Sequence, residues 1–152
     1  MTILQSNAAK GILAIAYPGF AGQAVTQRHT INVPANVAAN DILEMLPIPP
    51  GCRVADIIVD SDDLDTNGAP AITIDVGVMS GEFGSTDPAR TCGAEFFSAS
   101  TLGQAGGVAR PTLASAYRVL HSPTERSVGI KIKTVAATPA AGTIGVTLTV
   151  VA

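Results

Sequence analysis

The sequence predicts an all-β fold: a β-sandwich or jelly-roll-like single domain preceded by an N-terminal arm. Several short segments alternate apolar and polar residues with a period of two, which is typical of half-buried strands. Gly, Pro and Asn clusters separate these segments, and no sustained amphipathic helical pattern occurs. The length of 152 residues suits one domain with a core of its own. We predict a single β-sandwich domain over residues 21–152, with residues 1–20 forming an N-terminal arm or edge strand.

The clearest strands lie at the C-terminus. Branched apolar side chains occupy alternate positions of residues 128–133 and 144–150, and Gly, Lys or Thr fill the positions between them. The connection 136–142 contains Pro139 and Gly142, as a hairpin loop often does. The pattern therefore predicts two antiparallel strands that form a hairpin.

Five further segments have strand character. Residues 72–78 alternate regularly, and residues 53–60 form an apolar run that suits a strand buried on both faces. Residues 24–33 are rich in Val, Thr and Ile, residues 41–46 precede a proline-rich stretch, and residues 117–120 are a short candidate. Residues 79–93 and 98–110 are predicted to be irregular, and Phe96 and Phe97 between them to anchor a helical turn or a strand. Long loops of this kind often carry functional contacts.

The composition favours a protein that associates with other subunits over one that binds nucleic acid. Charged residues make up 14% of the chain, against about 25% in an average soluble domain. Covering part of such a surface by oligomerisation or docking is favourable, although a low-charge monomer remains an alternative. The nine Lys and Arg residues are scattered and the net charge is −3, so no basic face is expected. No apolar run reaches the length of a membrane span, so no membrane association is predicted.

The N-terminal segment contains a short run of apolar residues. Lys10 precedes a short apolar run that Pro18 interrupts, which favours an arm or strand over a signal peptide. We hypothesise that this arm packs across a neighbouring subunit through apolar and aromatic side chains, namely Ile12, Leu13, Ile15, Tyr17 and Phe20.

An acidic stretch from Asp60 to Gly68 is the most specific local motif. Asp63, Asp65 and Asn67 match the first half of a calcium-binding loop, with Gly68 at the turn. Ile74 occupies the position that requires a bidentate Glu, and a strand follows where a helix would be needed. The two interpretations are a calcium site at these three residues and an exposed acidic turn, and the second is favoured.

Other residues give no convergent catalytic pattern. His29 and His121 are the only histidines, and each is expected to be a surface or satisfied core residue. Neither a phosphate-binding loop nor a nucleophile elbow is present. Cys52 and Cys92 are expected to be buried free thiols, with a disulfide left open. We predict no enzyme activity and no cofactor.

The stretch LPIPPGCRVADIIVDSDDLDTNGAPAITIDVGV, residues 46–78, resembles part of the head decoration, or cement, proteins of tailed bacteriophages. Its proline-rich entry, buried strand, acidic turn and second strand form a hairpin-like unit. The resemblance implies a homotrimer with a jelly-roll-like body, made in the host cytoplasm and seated on the outer capsid surface between major capsid protein subunits. The alternative is a receptor-binding or carbohydrate-binding β-module of a phage tail or fibre. A small β-fold enzyme is a third, weaker interpretation.

Overall fold

The computed structural model describes all residues 1–152 and contains nine strands and two short 3-10 helices. In chain order the strands are β1 (Ile3–Gln5), β2 (Ala24–Val33), β3 (Ile42–Ile48), β4 (Arg53–Ser61), β5 (Thr73–Met79), β6 (Phe97–Ser100), β7 (Gly107–Ala109), β8 (Arg126–Thr134) and β9 (Gly142–Val151). The 3-10 helices are Leu102–Gln104 and Ala114–Arg118.

The strands form two sheets. The five-stranded sheet has the order β1-β3-β8-β5-β6, and the four-stranded sheet has the order β2-β9-β4-β7. All neighbours are antiparallel except β1 and β3, which are parallel. The prediction of an all-β sandwich is therefore confirmed.

One apolar core lies between the sheets. It contains 24 buried residues, contributed mainly by the alternate positions of β3, β4, β5, β8 and β9. Every residue of β3 is buried, because segments of the chain cover its outer face as well as its inner face. The β-branched and leucine side chains that produced the period-two pattern are the ones that fill this core.

The predicted C-terminal hairpin is wrong, although both of its strands exist. β8 pairs with β3 and β5 in one sheet, whereas β9 pairs with β2 and β4 in the other. The connection between them crosses from sheet to sheet. Sheets in a sandwich lie about 10 Å apart, which is a span that this connection can bridge.

The hairpin-like unit predicted over residues 46–78 is wrong for the same reason. β4 belongs to the four-stranded sheet and β5 to the five-stranded sheet. The acidic stretch between them is therefore a crossing between sheets at the same end of the sandwich as the β8–β9 connection.

Three smaller expectations also change. β3 does not end at Leu46 but continues through Pro47 to Ile48. β1 pairs only with Ile42–Glu44, so no strand pairs with the other side of β3 at Pro47 and a proline is tolerated there. Residues 117–120 form no strand, because Ala114–Arg118 is a 3-10 helix that buries Ala116. The irregular stretch 98–110 contains the short strand β7.

The N-terminal residues divide into two parts. β1 is an edge strand of the five-stranded sheet, and Ser6, Ala8 and Ala9 behind it are buried. Residues 10–22 then form an irregular loop that leads into β2, which we call the N-terminal loop. The division into an arm over 1–20 and a domain over 21–152 stays a prediction.

Candidate assembly surface

The predicted contact residues lie in the N-terminal loop, and four of the five are exposed. The exposed fractions are 66% for Ile12, 47% for Leu13, 50% for Tyr17 and 80% for Phe20. Ile15 is partly buried and packs against the main core. The loop thus uses one apolar side chain to attach itself and presents the other four to solvent.

Side-chain amides of the β2 region hold this loop in place. The Gln27 carboxamide donates to the Ala16 carbonyl at 2.6 Å and accepts the Ala16 N–H at 3.0 Å. The Gln23 side-chain oxygen accepts the N–H of Gly19 at 2.6 Å. Gly11 and Gly22, with φ of 70° and 80°, form the tight turns at the two ends of the loop. The exposed side chains are therefore presented from a defined backbone.

A second exposed apolar group lies at the 3-10 helix before β8, and the sequence did not reveal it. Tyr117 is 64% exposed and Leu120 is 67% exposed, while Ala116 and Val119 between them are buried in the core. Ser115 and Tyr117 each donate a hydroxyl hydrogen bond to a carbonyl, of Glu95 and Pro111 respectively. Short apolar runs do not distinguish a strand from a 3-10 turn, so the exposure of Tyr117 was not predictable.

Tyr17 and Phe20 of the N-terminal loop meet the second group at one end of the sandwich. Gly22 donates its N–H to the C-terminal carbonyl of Ala152, which places Phe20 near the end of β9. Arg126 donates to the carbonyl of Leu120 at 2.7 Å at the start of β8, which lies at the same end. Tyr17 lies beside Glu125, and burial together with the negative charge of Glu125 raises the pKa of the tyrosine. We call Tyr17, Phe20, Tyr117 and Leu120 the apolar patch. Ile12 and Leu13, whose N–H groups bond to the Asn7 carbonyl, are exposed elsewhere on the loop.

The acidic stretch has a structural geometry that the sequence motif did not reveal. The buried Asp65 carboxylate accepts the N–H groups of Ala71 and Ile72 at 2.7 and 3.1 Å, and those of Ala137 and Thr138 at 2.8 Å each. Burial alone would raise the pKa of Asp65, but these donors outweigh burial and hold it well below its usual value of 3.8.

The side chains of the other two calcium candidates also form hydrogen bonds that stabilise the turn. Asp63 accepts the N–H of Asp65 at 2.9 Å, and Asn67 accepts the N–H of Ala69 at 2.9 Å. Asn67 also donates to the Thr138 hydroxyl at 2.8 Å. No group of three or more His, Cys, Asp or Glu side chains is placed to hold a metal ion. Because N–H donors surround the Asp65 oxygens, the geometry favours the turn over a calcium site. The prediction that the turn is exposed is wrong for Asp65, which is buried because its carboxylate bonds to the backbone of both connections.

A buried ion pair on the outer side of the five-stranded sheet was not predicted. Arg90 donates to Glu44 at 2.6 Å, and the two side chains are 3% and 0% exposed. Ser127 donates its hydroxyl to the same carboxylate at 2.7 Å, and Arg90 also donates to the carbonyls of Ser80 and Ser85. This network fixes the long β5–β6 loop over β3, which explains why β3 is buried on both faces. No feature of the sequence distinguished Arg90 from other loop residues.

The histidines and cysteines are not brought together. His29 lies on β2, and partial burial lowers its pKa, while His121 is exposed near the start of β8. Cys52 and Cys92 are both buried and free, as expected. Burial raises the pKa of Cys52 and raises that of Cys92 to about 12. No helix of the chain is long and apolar enough to cross a membrane.

The fold and the patch define an all-β sandwich that presents apolar and aromatic side chains at one end. Comparison with solved structures then places the chain in a family. It is similar to a chain of the capsid of Ralstonia phage GP4, with 47% identity, a TM-score of 0.92, and coverage of 98% of this chain and 97% of that chain. It is also similar to a chain of the cyanophage Pam1 capsid asymmetric unit, with 27% identity, a TM-score of 0.64 and 91% coverage of both chains.

The chain therefore belongs to the same family as the Ralstonia phage GP4 capsid chain, a family of phage capsid-associated proteins. No family model matches the sequence, and no curated protein matches it.

Proposed function

We propose that this protein is a non-enzymatic structural component of a bacteriophage virion that decorates the outer surface of the capsid. In this role it bridges subunits of the major capsid protein and reinforces the shell, as a homotrimer. It binds no nucleic acid and no membrane, and it joins the shell after synthesis in the host cytoplasm.

The observation that carries this proposal is the similarity to the Ralstonia phage GP4 capsid chain. The match has 47% identity and covers nearly the whole of both chains, so the similarity is not limited to a shared β-sandwich. The cyanophage Pam1 capsid chain extends it to a second phage capsid.

The connectivity of the sandwich supports the jelly-roll-like part of the proposal. From β2 onwards, the order β2-β9-β4-β7 faces the order β3-β8-β5-β6. Only β5 and β6 are consecutive strands of the same sheet, and every other connection from β2 to β9 crosses between sheets. This is the double-sheet arrangement of jelly rolls, which recurs in viral capsid domains.

The apolar patch supports docking on other subunits. Aromatic side chains are enriched in the energetically important centres of protein interfaces. Three of the six aromatic residues of the chain, Tyr17, Phe20 and Tyr117, are at least half exposed in this patch. A contact that covers the patch would remove these side chains from water.

The alternative of a receptor-binding or carbohydrate-binding tail module is less well supported. Both similar structures are described as capsids rather than as tail fibres. A glycan array probed with the purified protein separates the two functions, since a decoration protein is expected to bind no glycan specifically.

Two measurements test the proposal. Light scattering on a sizing column should give three times the chain mass of 15.4 kDa. In the second measurement, purified protein is added to capsid shells that were prepared without it, and the shells are sedimented. The protein should appear in the pellet, and the bound amount should saturate at a fixed ratio to the major capsid protein. Failure of the protein to sediment with the shells would contradict the decoration role, and a clean monomer would contradict the trimer.

A further inference from the structure

Strand β2 is the one long unpaired edge of the sandwich. All ten of its residues pair with β9 on one side without a bulge, and no strand pairs with the other side. The other edge strands, β1, β6 and β7, have three, four and three residues. Natural proteins usually protect a long edge with a charge, Pro, a bulge or a covering loop, and β2 has no Lys, Pro or bulge. Its one charged residue is Arg28, and the N-terminal loop bonds to the side chain of Gln27, which leaves the backbone groups of β2 free.

The free backbone groups of β2 can be assigned to alternate residues. Ala152 donates its N–H to the carbonyl of Gln23, and Asp62 donates its N–H to the carbonyl of Thr143 on the far side of β9. The first bond shows that Gln23 directs its carbonyl towards β9, and the second shows that Thr143, which lies opposite Asn32, directs its carbonyl away from β2. Residues along an antiparallel strand alternate in this direction. The even-numbered residues of β2 therefore direct their N–H and C=O groups away from β9. Those outward residues are Ala24, Thr26, Arg28, Thr30 and Asn32. Their outward groups form no hydrogen bond within the chain.

We infer that β2 pairs antiparallel with β2 of a second copy, across a two-fold axis beside His29. The two four-stranded sheets then join into one continuous sheet. This inference rests on the proposed function, because a decorated shell holds many copies of the chain close together.

The register centred on His29 gives the longest overlap that keeps the faces of the strands matched and sets no two arginines opposite each other. Residues directly opposite each other must share a face, so the even residues have to oppose even residues. A register centred on Arg28 would set two arginines directly opposite each other, which is unfavourable. The register centred on His29 sets Arg28 opposite Thr30 and Thr26 opposite Asn32, and it pairs the outward backbone groups of all four residues.

The area of the contact explains why it would form on a shell rather than between dilute molecules. Strand pairing at one edge buries less than the roughly 1,200 Å² of a stable specific interface. Copies held on a surface have a high effective concentration, which compensates for weak intrinsic affinity. In solution, the contact is expected only at protein concentrations on the order of 1 mM.

Single cysteine variants of the purified full-length chain test the inference. In the proposed register the two His29 Cα atoms lie about 4.5 Å apart, a spacing that a disulfide accepts. At about 1 mM protein with a mild oxidant, His29→Cys should form disulfide-linked dimers, scored on a non-reducing gel. Arg28→Cys should not, and neither should Val108→Cys, a control residue 71% exposed on β7. The native thiols should not interfere, since both are buried.

A second variant separates specific pairing from random collision. Adding Thr30→Lys to His29→Cys sets a lysine opposite Arg28 on both sides of the axis, and should lower cross-linking about fivefold without loss of folding by circular dichroism. Equal cross-linking of all single variants, no cross-linking of His29→Cys, or preferential cross-linking of Arg28→Cys would overturn the inference. Sedimentation with capsid shells, measured separately on the uncross-linked protein, reports on the proposed function and not on this contact.

Discussion

The Asp65 carboxylate and the backbone N–H of Thr138 are joined by a hydrogen bond of 2.8 Å that connects two crossings between the sheets. The same carboxylate accepts N–H groups from Ala71 and Ile72, which belong to the β4–β5 crossing that contains Asp65 itself. Ala137 and Thr138 belong to the β8–β9 crossing. One buried side chain therefore holds together the two connections that the sequence pattern had indicated as hairpins.

Replacing Asp65 by Asn should destabilise the fold strongly. The amide NH₂ group would face N–H donors that now bond to a carboxylate oxygen, so several hydrogen bonds would be lost at once. We expect the Tm of Asp65→Asn to fall by on the order of 5 °C or more. Asp63→Asn is the matched control, since Asp63 accepts one local N–H and should change the Tm little.

The same carboxylate gives a pH dependence. The folded-state pKa of Asp65 is lower than its unfolded value, so its contribution is fully present above about pH 5 and is lost as the pH falls below about 4. The stability difference between the wild type and Asp65→Asn, measured by urea unfolding, should therefore shrink between pH 5 and the acid limit. A difference that stays constant over this range would contradict the depressed pKa.

Removing one member of the ion pair between Arg90 and Glu44 should destabilise the fold. Arg90→Met leaves the Glu44 carboxylate, which is 0% exposed, without its counter-charge, a change that typically costs about 3–5 kcal/mol. Adding Glu44→Met should recover much of the loss, because two apolar side chains can replace a buried pair. Urea unfolding at fixed protein concentration measures both, and a loss below about 1 kcal/mol for the single variant would rule out this role.

Gly77 and Gly129 lie opposite each other on β5 and β8, where the long β5–β6 loop packs against the sheet. A Cβ at Gly77 would overlap the backbone of Gly93, whereas a Cβ at Gly129 would meet the Met79 side chain at 2.6 Å. A flexible methionine can move and a backbone cannot. We expect Gly77→Ala to be more destabilising than Gly129→Ala, and the reverse order in urea unfolding would contradict this packing.

The apolar patch should matter for assembly and not for folding. Phe20→Ser and Leu120→Ser remove side chains that are 80% and 67% exposed, so we expect stability changes within about 0.5 kcal/mol. Both variants should sediment less with capsid shells than the wild type does. Val108→Ser, which removes an equally exposed side chain outside the patch, is the control, and an equal loss in all three would argue against a specific surface.

The calcium hypothesis has a direct test. Because N–H donors surround the Asp65 oxygens, we expect no heat of binding when calcium is titrated into the protein by calorimetry and no change in Tm with a chelator. A saturable signal that Asp63→Asn abolishes would instead support the sequence motif.

The sequence predicted the strands better than their partners. Period-two alternation depends on one face of a strand being buried, so it located β2, β4, β5, β8 and β9 within a few residues. The pattern is the same whether the next strand along the chain lies beside a strand or across the core from it. The sheet assignment of β8 and β9 depends on contacts such as those of Asp65, which join residues far apart in the sequence.

The apolar patch was predictable in part. The short apolar run that Pro18 interrupts predicted an N-terminal arm or strand, and Tyr17 and Phe20 were among the contact residues predicted in it. Tyr117 and Leu120 escaped notice because their exposure depends on the 3-10 turn that buries Ala116 and Val119. The Glu44–Arg90 pair was not predictable, because the two residues meet only when the long loop folds over β3.

A cryo-EM reconstruction of the virion that contains this protein tests the central claim most directly. We expect density that fits the β-sandwich on the outer face of the capsid, with the apolar patch turned towards neighbouring subunits. Density for the chain confined to the tail or inside the shell would contradict the account.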